Sequence, residues 1–441
     1  MSETIILPEW LIISAREAPK KHWGVLVRDE KIIEVAPNKS LLERYPHVER
    51  TQADSQVLSP GFVNTHTHLY GVLAHGIPLH SAPDGFWPFL KDFWWPKVEN
   101  RLDTEMICAA AEWQCQLMLR SGVTSFFDCL EAPNALPGCL QAEAAVVRQY
   151  GQRAILSFEA TQRLSLENGE LGQQENTAFF DDCKKKGRLI SGMLCYHTTF
   201  SCSEDFIQQS FALAAERQAQ VHAHCCESIY EPIHAVKEFG IRPLEYYQQM
   251  GVAGKNMLLS QCVQLDSSDI EIIATSGIHV SHMPLSNCEV GGGIAPIPAM
   301  ANAGVTIGLG SDSYIDDFFE VMRGAFLIHK ANLCDPRVMP ANLVWHMATE
   351  GGAQVLNLEK VGQITPGWQA DLQLIDADFP TPAEDWNLYD QLVLYRNASH
   401  VRMVMTAGKT LVKDGNLTFG NSIEARQNVS EQAQRLWNSA S

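Results

Sequence analysis

The sequence predicts an α/β protein: a TIM-type (β/α)8 barrel with a small β-sandwich domain built from both termini. Three observations predict it. Strand-like apolar runs alternate with helix-like ones from residue 59 to 364. Both flanks, 1–58 and 365–425, read instead as short strands and turns. Histidine or carboxylate side chains end several of the central strands, where a barrel carries its reactive groups.

The elements follow in order. In 1–58, "WGVLVRDEKIIEVAP" supplies two apolar runs around the polar turn Asp29, Glu30, Lys31, which is hairpin material. The barrel opens with "PGFVNTHTH". A helix is predicted from about Asp103 to Arg120, with Asp103 or Thr104 as cap and Gly122 just past its end, and "VTSFFD" is the strand after it. "RAILSF", "ISGMLCYHTTF", "AQVHAHCCE", "NMLLSQCV", "GIHVSHMP" and "GVTIGLGSD" complete a set of eight strands. A doubly wound sheet is the competing architecture, but no G-x-G-x-x-G follows the first strand. From 365, "PGWQADLQLID" and a hairpin around Ala407 and Gly408 return to β character, and 426–441 reads as a polar helical tail.

Composition narrows the function classes. The 441 residues are 46% hydrophobic and 19% charged, and no apolar run approaches the roughly 18 to 20 residues that span a bilayer, so no membrane role is expected. A net charge of −18 opposes attraction to phosphate backbones, which argues against nucleic acid as a partner. The N-terminus lacks a basic region ahead of an apolar block, so no signal peptide is read and a cytoplasmic location is expected. Twelve cysteines are scattered without a C-x-x-C pair, and vicinal Cys225 and Cys226 fall in an apolar run as buried thiols.

His66 and His68, two residues apart on a strand, share a face and can hold one ion between them. Another strand ends in His222, His224 and Glu227, and the last ends in Asp312. Three histidines and a carboxylate suit one divalent ion per chain: zinc first, with iron(II) or manganese(II) as alternatives, and one position kept for water. His224 lies nearer the carboxyl end than His222 and is the expected ligand, with His222 a deeper core histidine. Glu227, three residues beyond His224, is placed to move protons without binding the metal.

With these residues in view, the chain resembles the amidohydrolase superfamily, in its ATZ/TRZ-type branch of aminohydrolases and chlorohydrolases acting on purine, pterin, pyrimidine or triazine rings. The resemblance covers nearly the whole chain. "PGFVNTHTHLYGVLAHGI", "YHTTFSCSEDF", "VHAHCCES", "SHMPLSNCEVGGGIAP" and "GLGSDS" look like that branch's motifs at strands one, four, five, seven and eight. "FLKDFWW" and "FFEVMRGAFLIHK" are similar to segments of SsnA-type aminohydrolases.

The resemblance implies a metal held by His66, His68, His224 and Asp312, whose bound water attacks a ring carbon bearing an amino group. Asp312 takes a proton from that water, and Glu227 protonates the ring nitrogen and helps ammonia depart. Two-metal relatives use a lysine of the fourth strand; "ISGMLCYHTTF" has none, so one metal is expected. His197, His282 and Asn287 match substrate-contacting positions. Trp87, with Phe86 and Phe89 in the loop "DGFWPFLKDFWWPK", is expected to form a lid or a stacking wall over a flat ring.

One departure stands out: Gln261 occupies the sixth-strand position where the branch usually has a histidine. Glutamine cannot carry a proton at neutral pH but can hydrogen-bond to water or substrate. Either Asp312 and Glu227 suffice, or another histidine such as His282 compensates, or the protein is catalytically weak. The expected function is deamination of a small N-heterocycle. The alternatives are loss of another leaving group, chloride or an alkylamine, and a non-catalytic metal-binding or ligand-binding scaffold. A homodimer is expected by analogy with relatives.

Overall fold

The computed structural model describes residues 3–79, 81–187 and 189–440. Met1 and Ser2, in the expected sandwich segment, and Ser441, in the expected tail, lie outside the described residues.

The eight predicted barrel strands all form. They are Phe62–Thr67, Val123–Leu130, Arg153–Phe158, Ile190–Cys195, Val221–Cys225, Met257–Gln261, His279–His282 and Ile307–Leu309. All pair in parallel with their sequence neighbours, and the register Leu309 to Asn64 joins the eighth strand to the first. The fourth strand breaks at Met193: Ile190–Gly192 pairs with strand three and Leu194–Cys195 with strand five, which closes the ring. Strands covered on both faces need apolar residues at consecutive positions, and every residue of "VTSFFDCL" is buried.

The helix after the first strand runs Thr104–Arg120, and the Asp103 carboxylate accepts a hydrogen bond of 3.0 Å from the Met106 N–H, satisfying a backbone donor that the first turn leaves open.

A second sheet takes strands from both termini. Glu49–Pro60 lies parallel to Glu3–Leu11 on one side and antiparallel to Leu372–Asp376 on the other, with Leu58 opposite Leu374. Trp23–Arg28 and Lys31–Pro37 form the expected hairpin, as do Val401–Thr406 and Lys409–Lys413. One face closes on Ile6, Val25, Leu58, Leu372 and Met405. Val57, Ile375 and Val404 belong instead to the main core shared with the barrel. The first barrel strand begins two residues after Pro60, so this sheet aims His66 and His68 across the barrel mouth.

The segment expected as a polar tail over 426–441 is a helix over Ser422–Ala440 that carries an apolar stripe. Ala425, Val429 and Leu436 are buried, and the helix packs on Thr104–Arg120 and on the turn Leu69–Ala74. Its Trp437 Nε1 donates to the Leu73 carbonyl at 2.8 Å. The stripe is sparse in a charged sequence, which is why composition reads as polar there.

Candidate active site

The first strand delivers His66 and His68 to one side of the barrel mouth, with ring centroids 4.8 Å apart. The His68 Nδ1–H donates to the Cys129 carbonyl at 2.5 Å, which fixes its tautomer and leaves Nε2 with a free lone pair. The eighth strand brings Asp312 alongside. Gly310 permits that approach, because a Cβ there would lie 2.8 Å from the His66 carbonyl oxygen and 2.9 Å from Met283 Sδ. The Asp312 backbone N–H then donates to the His66 carbonyl at 3.1 Å.

The result is a convergence of donor atoms. His66 Nε2 is 3.2 Å from His68 Nε2 and 3.0 Å from Asp312 Oδ1, and His68 Nε2 is 3.4 Å from that same oxygen. With a ligand atom of His224, the four lie within 4.8 Å of one another. Donors on a tetrahedral zinc at about 2.0 to 2.1 Å would stand about 3.3 Å apart, so both donor types and spacing fit a single divalent ion.

The charges point the same way. Burial pushes His66 down to about 4, so it offers a lone pair at neutral pH. Burial also opposes a charge on His224, yet Glu159 above all, with Glu227 and Asp312, lifts it to about 9: the local field favours a cation. Burial works against ionisation of Asp312, but the hydrogen bond and charge of His66, then His68 and Ser286, hold it far below the usual carboxylate range. Its Oδ2 accepts hydrogen bonds from Gln261 Nε2 at 3.0 Å and Ser286 Oγ at 2.6 Å.

His68, His224 and Asp312 stand on the floor of a cavity of about 710 Å³, lined also by Glu159, His197, Glu227 and Gln261, with His66 buried beside them. Burial, reinforced by the charge of Asp312 and only partly opposed by His224, pushes the Glu227 carboxyl up to about 8. Burial likewise lowers His197 to about 3, and its Nδ1 is 2.8 Å from Ser201 Oγ. Gln261, Asp312 and Ser313 hold positive φ of 74°, 55° and 55°, a costly conformation for side-chain-bearing residues that concentrates at functional sites.

Three expected substrate contacts lie elsewhere. His282 is buried, with its Nε2 3.0 Å from His329 Nε2, and does not line the cavity. Gln261, at the sixth-strand position, does line the cavity. Asn287 is buried on the short helix Pro284–Glu289, which instead turns Ser286 toward Asp312. Trp87 stacks on Tyr230, with ring centroids 4.2 Å apart and planes 3° from parallel. Phe86, Phe89, Leu90 and Phe93, at helical spacing, face the cavity in its place.

Two residues escaped the sequence reading. Glu159, one residue past the third strand, is buried with Oε1 2.9 Å from His224 Nδ1. Glu99 lines the cavity, is held by Arg163 at 3.1 Å, and accepts from the Tyr70 hydroxyl at 3.0 Å. Each is a single glutamate without a motif; the only signal for Glu159 is its place at a barrel strand end.

Residues 57–411 match the family model described as "Amidohydrolase family". The chain belongs to that family. This amidohydrolase is 31% identical over 423 residues to a 5'-deoxyadenosine deaminase of Methanosarcina mazei, covering 94% of this chain and 93% of that one. It is also 31% identical over 410 residues to a 5-methylthioadenosine/S-adenosylhomocysteine deaminase of Thermococcus onnurineus, covering 89% and 90%. In fold it is similar to an adenosine deaminase from Xanthomonas campestris solved with zinc, with a TM-score of 0.87 at 22% identity over 99% of both chains. An atrazine chlorohydrolase from Arthrobacter aurescens shares the fold at a TM-score of 0.83 and 17% identity, over 98% of this chain and 100% of that one. The protein is a hydrolase of carbon–nitrogen bonds.

Proposed function

We propose that the protein is a zinc-type aminohydrolase that removes the exocyclic amino group of a purine nucleoside and releases ammonia. The observation that carries this reading is the convergence of four donors, three of them on the cavity floor, and beside them a glutamate whose environment keeps its proton at neutral pH. The deaminase relatives, matched over about nine-tenths of both chains, support the purine class. A cavity of about 710 Å³ is in the range that holds a ligand of that size.

His66, His68, His224 and Asp312 would hold the ion. When bound, it supplies Lewis acidity, lowering the pKa of a neighbouring water toward neutrality. Asp312 receives the proton of the attacking water and, in accepting it at Oδ2, gives up a hydrogen bond from Gln261 or Ser286. That cost drives the proton onward. The Glu227 carboxyl donates its proton to the ring nitrogen as the ring carbon becomes tetrahedral; the carboxylate left behind relays the proton held on Asp312 to the departing amine and recovers its own from the new hydroxyl as the carbonyl forms. Gln261 replaces proton transfer by position: its amide holds Asp312 and does not titrate. His197 presents its ring to the substrate, and Phe86 and Phe89 form the apolar wall against the base.

The test is ammonia release from zinc-loaded protein offered adenosine, 5'-deoxyadenosine, 5'-methylthioadenosine and S-adenosylhomocysteine, with a chlorinated triazine as contrast. Ammonia from one or more nucleosides supports the reading. Chloride release without any ammonia moves the assignment to the other leaving group.

A further inference from the structure

We infer that Glu159 is a positioning residue that tunes the metal site by holding His224, and that its carboxylate ties this ligand to the substrate-facing wall. The inference rests on the reading of His224 as a metal ligand but not on the identity of the substrate.

Glu159 directly follows the third barrel strand, so its side chain enters the barrel mouth from a strand that contributes no donor to the converging set. It is 2% exposed, and one oxygen lies between two rings: Oε1 is 2.9 Å from His224 Nδ1, though outside hydrogen-bond angles, and 3.6 Å from His197 Nε2. All three residues line the cavity floor.

The chemistry follows from the tautomer. An imidazole offers a lone pair on one nitrogen only when its proton sits on the other, and a carboxylate oxygen 2.9 Å from Nδ1 favours the proton on that nitrogen. Nε2 of His224 is then the metal-facing nitrogen, and the negative charge behind the ring raises its basicity. His68 gets the same service from a neutral backbone carbonyl, at Cys129. Among the described residues, Glu159 is the carboxylate that backs a histidine ligand from outside the converging set, which makes His224 the ligand most exposed to its loss. Because the same oxygen also faces His197, a shift of the carboxylate moves the metal ligand and the cavity wall together.

The experiment measures zinc affinity by competition with a chromophoric chelator, in the absence of any substrate, for the wild type, Glu159→Gln and Glu159→Ala. Removing such a support costs about 10- to 100-fold in metal affinity. Glu159→Ala is expected near 100-fold. Glu159→Gln keeps the volume and an acceptor oxygen but not the charge, and is expected near tenfold. Affinity in Glu159→Gln within about twofold of the wild type overturns the inference, whatever the fate of the alanine variant. Because no turnover is read, a protein that deaminates nothing on the panel still gives a decisive answer here.

Discussion

Glu227 has the environment of a proton donor: it borders a cavity, yet burial and the charge of Asp312 push it up to about 8. Replacing it by glutamine keeps the shape and removes the exchangeable acid, so Glu227→Gln is expected to lose about 10²- to 10⁴-fold in kcat while binding zinc as the wild type does. Parallel metal analysis and ammonia assays check this. The step needs the protonated carboxyl, so kcat/KM should fall as pH rises through about 8, and that falling limb should vanish from the residual rate of the variant.

Legibility differed from residue to residue for physical reasons. His66, His68, His224, Glu227 and Asp312 can be read from sequence because two-residue alternation and strand-end position constrain where their side chains go. Glu159 cannot, since its partner His224 is 65 residues away and nothing local marks the meeting. His282 and Asn287 sit in a motif that resembles a substrate-contacting one, but the partner that decides His282's role, His329, lies on the distant helix Phe318–Leu333.

At the level of elements, the aromatic loop shows why a motif does not settle which ring faces the ligand. Helical spacing turns Phe89 to the cavity and Trp87 onto Tyr230. Phe89→Ala should therefore raise KM with little change in melting temperature, whereas Trp87→Ala should lower the melting temperature and spare KM. Steady-state kinetics beside thermal melts separate the two. Equal KM increases in both variants would place Trp87 back in the pocket.

Strand two and the helix Cys139–Tyr150 meet through a buried acid pair, Asp128 and Glu143. Burial pushes Asp128 up to about 7 and Glu143 well above its ordinary range. Asp128 also accepts from the Leu69 N–H at 2.6 Å, just beyond His68. Between the ordinary carboxylate value and about 7, the folded state keeps protons that the unfolded chain releases. Stability from this pair is thus full at low pH and falls as pH rises. The melting temperature of the wild type should drop relative to Glu143→Gln between about pH 5 and about pH 8. Parallel melting curves across that window would contradict proton retention by the buried pair.

Across the whole molecule, the site depends on long-range closure. Asp312 and the first-strand histidines are separated by more than 240 residues, and they meet only because strand eight pairs with strand one. Both termini brace that seam: the N-terminal sheet leads directly into Phe62–Thr67, and the C-terminal helix clasps the turn after His68 through Trp437. The barrel is legible in sequence because each strand is a local apolar run. The clasp is less so, because it depends on three buried side chains in an otherwise polar helix.

One divalent ion, held by His66, His68, His224 and Asp312, is expected to be required for deamination. The most direct test titrates zinc into chelator-stripped protein while following ammonia release from the nucleoside that the panel selects. No release is expected without metal, followed by a linear rise to one equivalent per chain and a plateau beyond it. Full activity in the stripped protein, or a rise that continues to two equivalents, would contradict it.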